Sequence, residues 1–417
     1  MIRIIKDLLK KLKLFYVIKI ISSFSIQIAS LFLIYILPPA EFGYLALIIS
    51  VSQLMYILTS GWSNGAIINL GSKKFAEIGN YNNIVFYRTI IVLISLLIIS
   101  LLFFNLETPI SKFILKNENY ELVYFLYLGY VLYDFSSQLL YPGNKDLIQS
   151  ISELITSISL LLLTLMFVRS IKNYIFIYSV IYFVFFLFII SVFIYYYGKQ
   201  KFSWNKKEFV FLFKYSIWQL LSVISIYLIN IGVNYMFIYY DLSVIDIGLY
   251  NFSYRMFSGF AAFFGLFGVL IPKWIHNTDK KVLSKLLETR IFYSICLLVF
   301  LYLIVGLILE PFIIFIGKED YLQSIKYFIF LFPAFIFMCY SNLINTVIMN
   351  SSHYKKAQFA IIAQGLSLII SSFFLVGIFG VYGAIISTTI SFIIGAIYLY
   401  LLYTRKVKQD FLLEKEW

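Results

Sequence analysis

Charge is what this chain has least of. Only 13% of its 417 residues are Asp, Glu, Lys or Arg, against about 25% in a typical soluble domain. So few charges cannot cover the water-facing surface of a chain this long, which excludes a cytosolic enzyme, a secreted domain and a disordered protein. Cysteine occurs twice, as Cys296 and Cys339, both inside apolar runs, so neither a disulfide framework nor a metal-ligand spacing follows. Histidine also occurs twice, and His276 sits in a basic loop with no partner in view. No Walker A sequence is present, so the chain is not its own ATP motor. No nucleophile–base constellation appears either. The reading is therefore a non-enzyme with no catalytic residues, no metal and no cofactor. Long hydrophilic stretches are missing too: the longest runs over about 198–208, so no soluble domain hangs from the chain.

What is present is apolar sequence. Hydrophobic residues make up 62% of the chain, and the mean hydropathy is +0.91. The runs are too long for the roughly ten-residue alternating strands of an outer-membrane barrel. A helix needs roughly 20 apolar residues to cross the hydrocarbon core, and twelve such runs can be read. The first six cover about 14–37, 42–58 (or on to 70), 84–104, 120–141, 147–168 and 174–197. The second six cover about 211–239, 247–271, 291–316, 321–349, 359–379 and 382–403. The predicted fold class is an all-α integral membrane protein of twelve transmembrane helices. The basic N-terminus lacks a small-residue cleavage site after its apolar run, so the first run is read as an uncleaved span. Trp62, Trp218 and Trp274 fall near span ends, as an aromatic belt requires.

The net charge of +13 would suggest nucleic acid in a soluble protein; in a membrane chain it reports topology, and no nucleic-acid partner is expected. With the N-terminus placed in the cytoplasm, 25 Lys and Arg fall in inside segments and six outside, with Lys19 and Arg255 left within spans. That asymmetry predicts both termini in the cytoplasm.

The hydrophilic stretch 198–208 divides the chain near its midpoint, with six spans on each side. Each half opens with a long helix followed by an acidic turn, Glu41-Phe42-Gly43 in the first and Asp246-Ile247-Gly248 in the second. The expected domains are an N-terminal six-helix lobe, 1–200, and a C-terminal six-helix lobe, 201–417. Six spans return the chain to its starting side, so the halves are parallel repeats that meet around a central cavity and rock.

Ionisable side chains inside spans are costly and face a cavity or a partner. Arg255 lies nine residues into span eight, roughly 13 Å from its outer end. It either faces the cavity and binds an anion or pairs with Asp134 or Glu153. Its planar fork suits a phosphate. Lys19, early in span one, binds substrate or snorkels to the headgroups. Asp134 in span four is an ion-coupling site or a counter-ion, and Glu153 at the start of span five is a coupling site or interfacial. In span seven Ser216, Gln219, Tyr227, Asn230 and Asn234 fall within about 80° of one another. This stripe either lines a hydrophilic cavity or forms an interhelical hydrogen-bond seam. Gly259, Gly265, Gly268, Gly377, Gly380 and Gly383 allow close helix contact or sharp turns.

Four segments resemble the polysaccharide-exporter branch of the MOP superfamily, in particular O-antigen (Wzx-type) flippases. Pro39-Ala40-Glu41-Phe42-Gly43-Tyr44 is similar to the family's turn after span one. Gly248-Leu249-Tyr250-Asn251-Phe252-Ser253-Tyr254-Arg255 is similar to its Gly-x-Tyr segment ending in a basic residue. Pro272 closes span eight as the family's proline does, and Phe379-Gly380-Val381-Tyr382-Gly383-Ala384-Ile385-Ile386-Ser387-Thr388 resembles its turn into the last helix. The resemblance implies a MATE/MOP-like two-lobe fold in the bacterial cytoplasmic (inner) membrane. It also implies translocation of an undecaprenyl-diphosphate-linked oligosaccharide, such as an O-antigen repeat unit, by ion-coupled alternating access. Related lipid II flippases use cavity arginines for the diphosphate, and Arg255 matches the one in span eight. The implied substrate-binding set is Arg255, Lys19, Asn230, Asn234 and Arg88, with Asp134 and Glu153 for ion coupling. The family often carries an acid late in span seven, where this chain has Asn234. The implied partners are the lipid-linked glycan, membrane lipids, a polysaccharide polymerase and a chain-length regulator.

The alternative within the superfamily is a multidrug or organic-cation antiporter, which favours a cavity richer in acids than bases; the central Arg255 argues against it. A membrane enzyme such as a polymerase or glycosyltransferase usually needs large outer loops, whereas the longest outer loop here covers about 105–119.

Overall fold

The computed structural model describes residues 2–115, 120–198, 204–260, 280–349 and 353–408, and every regular element among them is helical. The apolar runs of the first half form the helices Ile2–Ile36, Pro39–Thr59, Asn82–Asn105, Tyr120–Ser137, Asp146–Phe167 and Ile171–Tyr197. Those of the second half form Lys206–Ile231, Val244–Gly259, Lys280–Phe315, Phe332–Met349, Tyr354–Phe379 and Val381–Leu402. Among the described residues, ten helices are long and apolar enough to cross a membrane, which makes this a multi-pass membrane protein. Tyr120–Ser137, which carries Glu121 and Asp134, is not among the ten, and neither is Val244–Gly259. The expected continuation of the latter to 271 lies outside the described residues, as do Gly265, Gly268, Pro272, Trp274 and His276.

Three runs fold with interruptions, and the expected span 211–239 breaks at Gly232, between the helices Lys206–Ile231 and Val233–Tyr239. The expected span 321–349 breaks at Leu331, between the helices Leu322–Phe330 and Phe332–Met349. Pro333 lacks an N–H, and its ring would strike the carbonyl four residues earlier in a continuous helix. Placed in the first turn of a new helix it costs nothing. After Thr59 the chain takes a 3-10 turn over Gly61–Ser63, a short helix over Asn64–Ala66 and a π turn over Ile67–Gly71. Within this stretch Gly61, Trp62, Ser63, Ala66, Ile67 and Gly71 are buried, while Ile68 and Asn69 are exposed.

The helices form two compact units: the described residues of Met1–Leu37 with Tyr44–Ile224, and those of Pro38–Gly43 with Ser225–Trp417. In the first unit Ile2–Ile36 packs along Asp146–Phe167, and Tyr120–Ser137 along Ile171–Tyr197. The 146–167 helix is amphipathic in the sense opposite to that of a soluble protein. Its buried residues are Gln149, Ser150, Ser152, Glu153, Thr156, Ser157, Leu160 and Thr164, while Ile151, Ile155, Leu162 and Met166 are exposed. Where the surroundings are lipid, the polar face must turn inward.

In the second unit Tyr354–Phe379 packs against Val381–Leu402. Gly380 joins them with a φ of +55° and a ψ of −131°, a conformation open essentially to glycine. The segment Pro38–Gly43 belongs to this unit, and it explains the echo between the two acidic turns. A Cβ on Gly43 would lie 2.0 Å from the Val244 carbonyl oxygen, and one on Gly248 would lie 1.9 Å from the Pro39 carbonyl oxygen. The two helix starts therefore cross glycine to backbone, each against the other.

Candidate functional site

The first unit gathers four of the expected residues into two ion pairs. Arg88, in the first turns of Asn82–Asn105, has no exposed surface and is among the largest fully buried side chains. Its Nη2 donates to Asp134 Oδ2 at 3.1 Å, its Nη1 to the Phe135 carbonyl at 3.0 Å and its Nε to Ser63 Oγ at 3.1 Å. The guanidinium carbon stands 5.1 Å from the centre of the Phe135 ring. Asp134 Oδ1 accepts from Asn64 Nδ2 at 2.7 Å. Both carboxylate oxygens and all three arginine nitrogens thus have partners, the condition under which a buried pair persists. The irregular stretch after Thr59 brings Ser63 and Asn64 to this place.

The second pair is Lys19 with Glu153. The Lys19 ammonium binds Glu153 Oε2 and lies 5.2 Å from the centre of the Tyr141 ring. Glu153 Oε1 accepts from Tyr141 Oη and Gln149 Nε2, each at 3.2 Å. The Lys19 side chain is 34% exposed and that of Glu153 only 8%, so the lysine forms the accessible end of the pair.

Within the first unit Asp134 is held by Arg88 and Glu153 by Lys19, whereas Arg255 lies in the second unit. Its guanidinium carbon lies 5.0 Å from the centre of the Phe42 ring. Phe42 in turn meets Phe252 edge-on at 6.0 Å and Tyr321 at 6.3 Å. This aromatic nest is built by the reciprocal turn contact described above.

The span-seven stripe divides between the units. Ser216 and Gln219 lie in the first, whereas Tyr227, Asn230 and Asn234 lie in the second. Asn234 is buried in an amide pair with Asn251: Asn251 Nδ2 donates to Asn234 Oδ1 at 2.8 Å, and Asn234 Nδ2 to Asn251 Oδ1 at 3.2 Å. That part of the stripe is a hydrogen-bond seam. Asn230 accepts from Tyr254 Oη at 3.4 Å and lines a cavity of about 340 Å³ inside the second unit. That part is a cavity wall. Among the described residues no three His, Cys, Asp or Glu side chains gather as a metal site.

Sequence reasoning missed Ser63, Asn64, Asn251 and Phe42 as partners, together with Ser341, Asn342, Asn345 and Gln364 on the cavity wall. The last four carried a signal, because each is a polar side chain inside an apolar run.

The profile of a family described as polysaccharide biosynthesis protein matches residues 32–266. No curated protein sequence matches the chain. Among solved structures, the fold is similar to the lipid II flippase MurJ in an inward closed conformation, with a TM-score of 0.68 and 21% identity over 96% of this chain and 89% of that one. It is also similar to the eukaryotic MATE transporter AtDTX14, with a TM-score of 0.64 and 13% identity over 97% of each chain. An inward-facing multidrug resistance MATE family transporter of the MOP superfamily gives a TM-score of 0.65 and 13% identity over 95% of this chain and 96% of that one. With the profile covering more than half of its length and the fold shared throughout, this chain belongs to the polysaccharide biosynthesis protein family and has the fold of the MOP superfamily.

Proposed function

We propose that the protein is a flippase that moves an undecaprenyl-diphosphate-linked oligosaccharide, an O-antigen or related surface-polysaccharide repeat unit, across the bacterial cytoplasmic membrane by ion-coupled alternating access. The observation that carries this reading is the conjunction of polysaccharide-family membership with the fold of a lipid II flippase over nearly the whole chain. The chemistry agrees. A polyprenyl-diphosphate sugar has a charged, hydrophilic head that hydrocarbon excludes, and a transporter for it must hold cationic and amide groups within an apolar bundle. The proposal keeps twelve spans in two six-helix lobes, with both termini cytoplasmic.

Arg255, Lys19, Asn230 and Asn234 are assigned to the substrate, and Asp134 and Glu153 to ion coupling. Arg88 joins the two functions. Enclosed against Asp134, it becomes available to a diphosphate only when protonation or a bound cation takes over the Asp134 carboxylate. Exchange of one anion for the other at a single guanidinium supplies the differential affinity that coupling requires. A polysaccharide polymerase and a chain-length regulator are the proposed partners downstream.

The test is the lipid-linked pool in a host deprived of the protein. Completed repeat units should accumulate as surface glycan disappears. Normal surface glycan with an altered drug profile would instead identify a multidrug antiporter.

A further inference from the structure

Inside the second unit lies a cavity of about 340 Å³, within the range of about 300–1,000 Å³ typical of small-ligand sites. Its wall includes Asn230, Tyr254, Ser341, Asn342, Asn345 and Gln364. Among the described residues, none of the side chains lining it is Asp, Glu, Lys or Arg. Two of its polar atoms are buried without a hydrogen-bond partner: Asn345 Oδ1 and Ser341 Oγ. Ser341 is 4% exposed and Gln364 6%. An unsatisfied buried acceptor is a cost that a leucine of similar size would not carry, and it calls for an explanation by function or by a missing ligand. Packing keeps the amide in place. A Cβ on Gly395 would lie 1.8 Å from Gln364 Nε2, so the facing helix leaves the glutamine side chain its space.

We infer that this cavity is a subsite for an uncharged sugar ring of the transported glycan, separate from the groups that hold its diphosphate. The inference rests on the flippase reading above. Neutral walls do not attract a diphosphate. Amides each offer two donors and an acceptor, the set that vicinal sugar hydroxyls require. The subsite reads the sugar, and the charged residues read the anion.

The experiment uses the full-length protein in lipid nanodiscs and two probes. One is the lipid-free oligosaccharide released by mild acid from the host's own lipid-linked pool. The other is farnesyl diphosphate, which has the anion and no sugar. The oligosaccharide should bind the unaltered protein, and Asn345→Leu and Gln364→Leu should each weaken that binding at least tenfold. Farnesyl diphosphate affinity should stay within twofold. Asn345→Leu should melt no lower than the unaltered protein, because it removes an orphaned acceptor. Unchanged oligosaccharide affinity in both variants, or no binding to the unaltered protein, overturns the subsite and leaves water as the occupant. Equal loss for both probes also overturns it, since the cavity then does not separate sugar from anion. The flippase reading fails independently, if export persists in a host lacking the protein.

Discussion

Arg88 and Asp134, 46 positions apart in sequence, face each other at 3.1 Å with the arginine wholly enclosed. Removing one partner strands a buried charge, at a cost of about 3–5 kcal/mol, whereas replacing both with apolar residues of similar volume is often neutral. Arg88→Met and Asp134→Leu should each lower the melting temperature of the purified protein sharply, and the double variant should recover most of it. Transport should not recover. Recovery of glycan export in the double variant would remove the pair from the coupling scheme.

Lys19 and Glu153 should behave more mildly. The lysine is 34% exposed, and water screens and replaces an exposed partner. Lys19→Met should therefore cost less stability than Arg88→Met in the same thermal melts, while reducing export. Equal destabilisation by the two would show that Lys19 is as enclosed in the membrane as Arg88.

The Asn234–Asn251 amide pair makes a double-mutant prediction. Either residue changed alone to Leu leaves a buried amide unpaired, at about 1–3 kcal/mol, and changing both relieves it. The coupling energy from thermal or chemical unfolding should be clearly favourable. Additive losses would show that the pair contributes nothing as a pair.

At the crossing turns, Gly248→Ala places a methyl group 1.9 Å from the Pro39 carbonyl oxygen, and Gly43→Ala places one 2.0 Å from that of Val244. Both should destabilise. Gly306→Ala is the control, since among the described residues its added carbon would meet only Phe328 Cε1 at 3.8 Å. Helix propensity should then make it stabilising by roughly 0.5–1 kcal/mol. Opposite signs in melting temperature check the contact.

Most of the helical architecture was legible because lipid imposes one rule: backbone polar groups must be satisfied within the segment, so apolar length reads directly as helix. The break at Leu331 was written in Pro333 but was hidden within a continuous apolar run. The echo of Glu41-Phe42-Gly43 in Asp246-Ile247-Gly248 could be seen in sequence, whereas their mutual contact could not, because it joins residues some 200 positions apart. The charged residues were easy to find and hard to pair. Sequence offered Asp134 and Glu153 as partners for Arg255; the fold gives them to Arg88 and Lys19 instead. Nothing local to Arg88 signals Asp134, and the irregular backbone that adds Ser63 and Asn64 has no periodicity to detect.

The central assignment on the second unit is Arg255. Arg255→Ala should abolish surface glycan while the protein remains in the membrane at normal abundance, and Arg255→Lys should retain part of the activity. Full export by the alanine variant would remove Arg255 from the substrate site.

The most direct test of the whole account is made on the host lacking this protein, by quantifying undecaprenyl-diphosphate-linked glycan and surface polysaccharide together. Completed repeat units accumulating in the lipid-linked pool while surface glycan is lost is the result the account predicts. Unchanged surface glycan with no accumulation would contradict it.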